Sequence, residues 1–186
     1  MGVLHQGERL ATLSRNLDLL SRCPPLERQE WLRAVVTLDG LIGRIDATLQ
    51  EARLLGVAAD QAVQELVLLI HSAAEVLQSG FADLREGSAS VKQTVLALNG
   101  LVEAIDRRYL HTLGTLFAPD RWSAEVTPAT VLHGMKRWML LRCLFEVKQH
   151  LALVGETMLA LAAMREAHAS VRPRAVATRP DALFEG

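Results

Sequence analysis

Apolar residues recur along this chain in alternating steps of three and four, the spacing that lines one face of an α-helix. The longest such run lies between Pro128 and about His168, where Leu140, Leu144, Val147, Leu151, Val154, Met158 and Leu161 form one stripe. Thr127 precedes Pro128. A threonine hydroxyl can cap a first turn, and proline fits where the amide has no partner. A second stripe, Leu132, Met135 and Met139, and the cluster Trp138, Leu141 and Phe145 make the first half of this helix apolar nearly all round. Such a helix is expected to be covered on every side, by its own fold or by a partner.

The remaining segments follow the same rule. Leu10, Leu13, Leu17 and Leu20 predict a short amphipathic helix over about Val3 to Arg22, closed by Pro24-Pro25. The next helix, about Pro25 to Leu55, carries Trp31, Val35, Leu38, Ile42, Ile45, Leu49 and Ala52 at the spacing of a coiled-coil seam. Gly56 suits a left-handed stop. A third helix, from Ala58 or Asp60 to Glu86, turns Val63, Leu66, Ile70, Ala73, Leu77, Phe81 and Leu84 inward. A fourth, from Ser88 or Ser90 to Phe117, does so with Val91, Val95, Leu98, Val102, Ile105, Tyr109, Leu113 and Leu116. Small residues form extra stripes, Gly40, Gly43 and Ala47 on one helix and Ala97, Gly100 and Ala104 on another, which suits close helix approach.

Short connections make sequential helices antiparallel neighbours. The chain is therefore predicted to be all-α: an elongated antiparallel up-down four-helix bundle with an additional short N-terminal helix and a flexible C-terminal tail. Residues 1–170 read as a single helical domain. Residues 171–186, rich in proline and arginine and without periodicity, read as the tail.

Composition narrows the function classes. The 20 basic and 21 acidic residues give a net charge of −1, which argues against a general polyanion binder. Only Lys92, Lys136 and Lys148 are lysine, an arginine bias that reads as GC-rich bacterial genome composition. Cys23 and Cys143 make neither a disulfide framework nor a CxxC metal motif, which favours a reducing cytoplasmic setting. The start lacks the pattern of a signal peptide, and no apolar run approaches the roughly 18 to 20 residues of a membrane span.

Chemistry is sparsely signalled. The Glu-x-x-His pair of di-metal bundles is missing. Cys143, Glu146 and His150 share one helix face with side chains that suit zinc, but no second helix supplies a matching set, so no metal or other cofactor is expected. A GxSxG elbow and glycine-rich phosphate loops are absent from the sequence. One constellation emerges on folding the last two long helices back at the Ala118–Thr127 loop. Arg107, Arg108, His111, Arg121, Trp122, Lys136 and Arg137 then gather at one end, with His133, Tyr109, Phe117 and Trp138 nearby. Arginine among aromatics is the composition of protein hot spots, and also of phosphate and base recognition. Glu103, Asp106, Asp120 and Glu125 are close enough in sequence to neutralise it.

The sequence favours a non-enzymatic helical-bundle interaction protein, or a small structural subunit of a larger assembly. Its mean hydropathy of +0.18 suggests that a protein partner or a second copy covers some helix face. The alternative is a nucleic-acid-associated or anion-binding protein that uses the basic-aromatic end. A metal-dependent bundle enzyme is a third reading.

Overall fold

The computed structural model describes residues 25–84, 88–118 and 126–171. Among these, the structure is entirely helical: α1 (Pro25–Leu55), α2 (Gln61–Asp83), α3 (Ser88–Leu116) and α4 (Pro128–Val171). The boundaries sit on local chemistry. Gly56 adopts φ +60° after α1, the left-handed conformation that glycine reaches without steric cost. Asp60 caps α2, its carboxylate accepting the Val63 amide at 3.0 Å. The Thr127 hydroxyl accepts the Thr130 amide at 3.2 Å and so caps α4. The N-terminal helix expected over about residues 3–22 and the tail lie outside the described residues.

At 44 residues, α4 is about 66 Å long, and the other helices are organised along it. All seven residues of its sequence-predicted stripe, Leu140 to Leu161, are buried. Leu141, Cys143 and Ala162 are buried on its other sides. The cause is position: α4 packs against α1, α3 and, less extensively, α2. Two apolar clusters result. One joins Ala34 and Leu41 of α1 and Ala73 and Leu77 of α2 to Val95 and Leu98 of α3 and Leu151 to Leu161 of α4. The second joins Val63 and Leu66, Ile105 and Leu116, and Leu140, Leu141 and Leu144.

Contacts give the directions of neighbouring helices. Between α3 and α4, Asp106 meets Lys148, Leu98 approaches Gly155 and Lys92 meets Glu166, so numbers fall on one helix as they rise on the other. Between α1 and α4, Glu51 meets Cys143, Arg44 meets Glu146 and Gly40 approaches His150, again in opposite order. The helices are not all sequential neighbours, however. α1 rests chiefly on α4, and no comparable packing joins it to α2 despite the five-residue connection Gly56–Asp60. The reason is that α1 turns Ala34, Leu41 and Thr48, mostly small side chains, into its contact with α4. The seam expected to face inward divides, with Trp31, Leu38, Ile45 and Ala52 packed against the core clusters and the rest turned to the edge. Its Val35, Ile42 and Leu49 remain 43%, 53% and 53% exposed, and Trp31, Leu38, Ile45 and Ala52 are half-buried.

Close approach also uses other glycines than the small-residue stripes suggested. A Cβ at Gly43 or Gly100 would meet nothing within 4 Å, and one at Gly40 would touch only the His150 ring at 3.5 Å. At Gly155 a Cβ would lie 2.5 Å from Leu98 Cδ2. At Gly80 it would lie 2.1 Å from Met158 Cε and 2.9 Å from Thr94 Cγ2. These two glycines let α3 reach α4 and α2. Gly155→Ala is expected to destabilise the fold by about 1–3 kcal/mol through overpacking against the buried Leu98. Gly100→Ala, in open space on a helix, is expected to stabilise it by about 0.5–1 kcal/mol. Urea denaturation of the two variants checks both signs.

Candidate functional site

At the end where α3 leaves and α4 begins, the expected basic-aromatic constellation divides. Arg108 turns from α3 toward α2 and pairs with Glu65. Arg137 turns from α4 toward α2 and pairs with Asp60, the residue that caps α2. Its side chain is only 14% exposed. Arg107 is exposed and lies 3.7 Å from Glu103 one turn earlier. His111 is exposed and Lys136 half-buried. Arg121 and Trp122 lie outside the described residues. The structure therefore brings Arg108 and Arg137 to α2, where they tie helices together. Of the carboxylates suggested by sequence proximity, Glu103 is engaged with Arg107, and Asp106 with Lys148 at 2.8 Å. Glu65 and Asp60 were not foreseen, since nothing in their spacing reveals which face of α2 meets α3 and α4.

The aromatic residues divide likewise. Tyr109 stacks on Phe145 with ring centroids 4.5 Å apart, and the Lys148 ammonium sits 4.7 Å from the Phe145 centroid. Lys148 thus holds a ring and the Asp106 carboxylate together across the α3–α4 contact. Burial pushes the Tyr109 phenol above its ordinary value, with Arg142 opposing the shift.

The rest of this end is apolar. Arg137 is level with the start of α2, and Glu51, one turn before the end of α1, is level with Cys143. Two turns beyond the Tyr109–Phe145 stack, α3 ends at Leu116. Residues 128–136 of α4 accordingly extend about two and a half turns past the ends of the other described helices. Val131, Leu132 and Met135 on this projection are exposed, as is Met139 at its base. Trp138 is 36% exposed, whereas Leu141 of the same predicted cluster is fully buried. The all-round apolarity of α4 thus has two explanations. Its central part is enclosed by three helices, and its first turns, although Gly134 is buried, are not enclosed by the described helices.

The Cys143, Glu146 and His150 face packs against α1. The Cys143 thiol donates to Glu51 Oε2 at 2.6 Å. Glu146 receives Arg44 at 2.9 Å and Arg142 at 3.2 Å. Nδ1 of His150 lies 2.9 Å from the Glu146 carbonyl oxygen. The side chains are directed to separate partners, and among the described residues no group of three His, Cys, Asp or Glu is placed to hold a metal ion. Burial, the hydrogen bond to Glu51 and the negative charge of Glu51 push the thiol up to about 11, with Arg44 opposing. A thiol held protonated at neutral pH is a poor nucleophile and a poor metal ligand.

No protein-family model, curated protein or solved structure matches this chain. Among the described residues, no helix is long and apolar enough to cross a membrane.

Two expected outcomes follow from this geometry. Asp60→Asn should retain the cap while losing the ion pair to Arg137, whereas Asp60→Ala loses both and is the more destabilising by about 1 kcal/mol. Denaturant midpoints separate the two roles. The folded-state value of Cys143 is raised, so its stabilising effect is complete below the ordinary thiol value of 9.0 and is lost as pH rises toward about 11. The wild-type protein should therefore lose more stability than Cys143→Ala between pH 8 and pH 11.

Proposed function

We propose that this protein acts without catalysis, as a helical-bundle interaction protein or a small structural subunit of a larger assembly, in the reducing cytoplasmic setting that its cysteine usage favours. The arrangement proposed is an elongated, antiparallel up-down bundle that presents the first turns of α4 to a protein partner or a second copy. The observation that carries this reading is the run of exposed apolar side chains Val131, Leu132, Met135, Trp138 and Met139 on the projecting end of α4. Phe117 after α3 and Val126 before α4 are exposed as well. Contiguous exposed apolar surface is characteristic of interaction sites, and aromatic and methionine side chains are enriched at interface centres. The Cys143 environment also argues against a thiol nucleophile.

The alternative, recognition of a nucleic acid or another anion, has less support. Arg108 and Arg137 are engaged by Glu65 and Asp60, so a phosphate would have to compete with α2 for them. Of the described residues in that set, Arg107 is exposed beside Glu103, and Lys136 is half-buried.

Light scattering and co-purification with wild-type and Met135→Asp protein test the proposal. Assembly or partner retention is expected for the wild type and should be lost in the variant, since burying the new carboxylate disfavours the interface. Trp138→Ala is expected to weaken association by about 2 kcal/mol or more if the indole is a hot spot. A wild-type monomer at high concentration with no partner retained would refute this reading. Binding that is salt-sensitive and indifferent to Met135→Asp would favour the anion alternative.

A further inference from the structure

Two apolar surfaces of the described chain are exposed, and the charges that border them are opposite in sign. On the solvent face of α1, Leu32, Val35, Val36, Ile42 and Leu49 are 41–69% exposed. Asp39 lies one turn from Val35 and Ile42, and Asp46 one turn from Ile42 and Leu49, so exposed carboxylates alternate with the apolar side chains. Among the described residues no ion pair reaches either carboxylate, and Asp46 accepts only the Gln50 amide at 2.9 Å. On the first turns of α4, Val131, Leu132, Met135, Trp138 and Met139 are exposed. Lys136 lies one turn from Leu132 and Met139, and Arg142 one turn from Trp138 and Met139. No aspartate or glutamate occurs between Glu125 and Glu146. Arg142 meets Glu146 at 3.2 Å and is still 62% exposed.

We propose that these surfaces are the two halves of one contact between copies of this chain, in which the first turns of α4 dock on the solvent face of α1 of the next copy. This rests on the reading of the α4 end as an interaction surface and names its occupant. Charge selects the pairing. The α1 face against itself would oppose Asp39 and Asp46 to the same carboxylates, and the α4 end against itself would oppose Lys136 and Arg142 to like cations. The unlike pairing sets two cations against two carboxylates. Spacing agrees: Lys136 and Arg142 are about 9 Å apart along α4, and Asp39 and Asp46 about 10 Å apart along α1. Gly43 lies between the two carboxylates, where a Cβ would meet nothing within 4 Å, and leaves a notch for a large side chain such as Trp138. The contact cannot form within one chain. Gly40 is level with His150 of its own chain, about 22 Å along α4 from Met135. A contact between unlike surfaces passes from copy to copy unless it closes on itself.

Mixing two variants of the full chain tests the pairing. Light scattering should give the wild type a mass above that of one chain, and Met135→Asp and Ile42→Asp should each be monomeric. Both positions are exposed, so denaturant midpoints should stay near that of the wild type. A one-to-one mixture should form a dimer, because one variant keeps an intact α1 face and the other an intact α4 end. Charge exchange is the second readout. Lys136→Glu with Arg142→Glu should weaken assembly about tenfold, and adding Asp39→Lys and Asp46→Lys to the same chain should restore it. Assembly that survives Ile42→Asp, a mixture that stays monomeric, or a charge exchange that restores nothing would each overturn the inference. A monomeric wild type that retains a different protein through Met135 would overturn it too, while leaving the broader interaction reading in place. A monomeric wild type with no partner would remove both.

Discussion

The enclosure of α4 from Leu140 to Leu161 is the constraint on which the described fold depends. A helix this apolar cannot remain stable in water along a single contact, because each large side chain left exposed forgoes roughly 1.5–3 kcal/mol of burial. Placing α1 and α3 against it, with α2 packed on α3 and more lightly on α4, satisfies that demand, and the other contacts follow from it. Gly155 must lack a side chain for Leu98 to reach α4. Gly80 must lack one for Met158 to reach α2. The charged residues bordering these contacts then act as ties: Lys148 to Asp106, Arg108 to Glu65, Arg137 to Asp60 and Arg44 to Glu146.

The helices were legible because periodicity, prolines and caps are local. Pro25, Asp60, Ser88 and Pro128 mark starts that the structure shares, and Gly56 marks a stop. The partners of each face were less legible. A seam such as Val35–Ile42–Leu49 states that a helix face is suited to burial, but not which helix buries it. α1 could meet α4 through Ala34, Leu41 and Thr48 because small residues also permit close contact. Gly80 and Gly155 gave no warning, since a lone glycine in a helix resembles any tolerated glycine until its neighbour is known.

The candidate site was legible to the same degree. Tyr109 was expected at one end with Trp138, and in the structure it stacks on Phe145, a partner that sequence spacing had not named. Spacing could not reveal that α2 offers Glu65 and Asp60 to Arg108 and Arg137, because the rotation of α2 about its axis depends on the whole bundle. The apolar projection of α4 was written in the sequence as Leu132, Met135 and Met139. That these residues project past the neighbouring helices depends on where α1, α2 and α3 stop.

The attachment of α1 through one principal contact also bears on how the molecule comes apart. α2, α3 and α4 each contact the other two, so removing one of them breaks two interfaces at once. α1 breaks chiefly one, and its link to α2 turns at a glycine. Free energies of local opening follow the number of contacts that must be given up. α1 is thus held through a single interface, the most extensive in the described fold, whereas α2, α3 and α4 hold one another. Separating α1 from α4 would uncover the Cys143 thiol, so the accessibility of that one sulfur reports on this one interface.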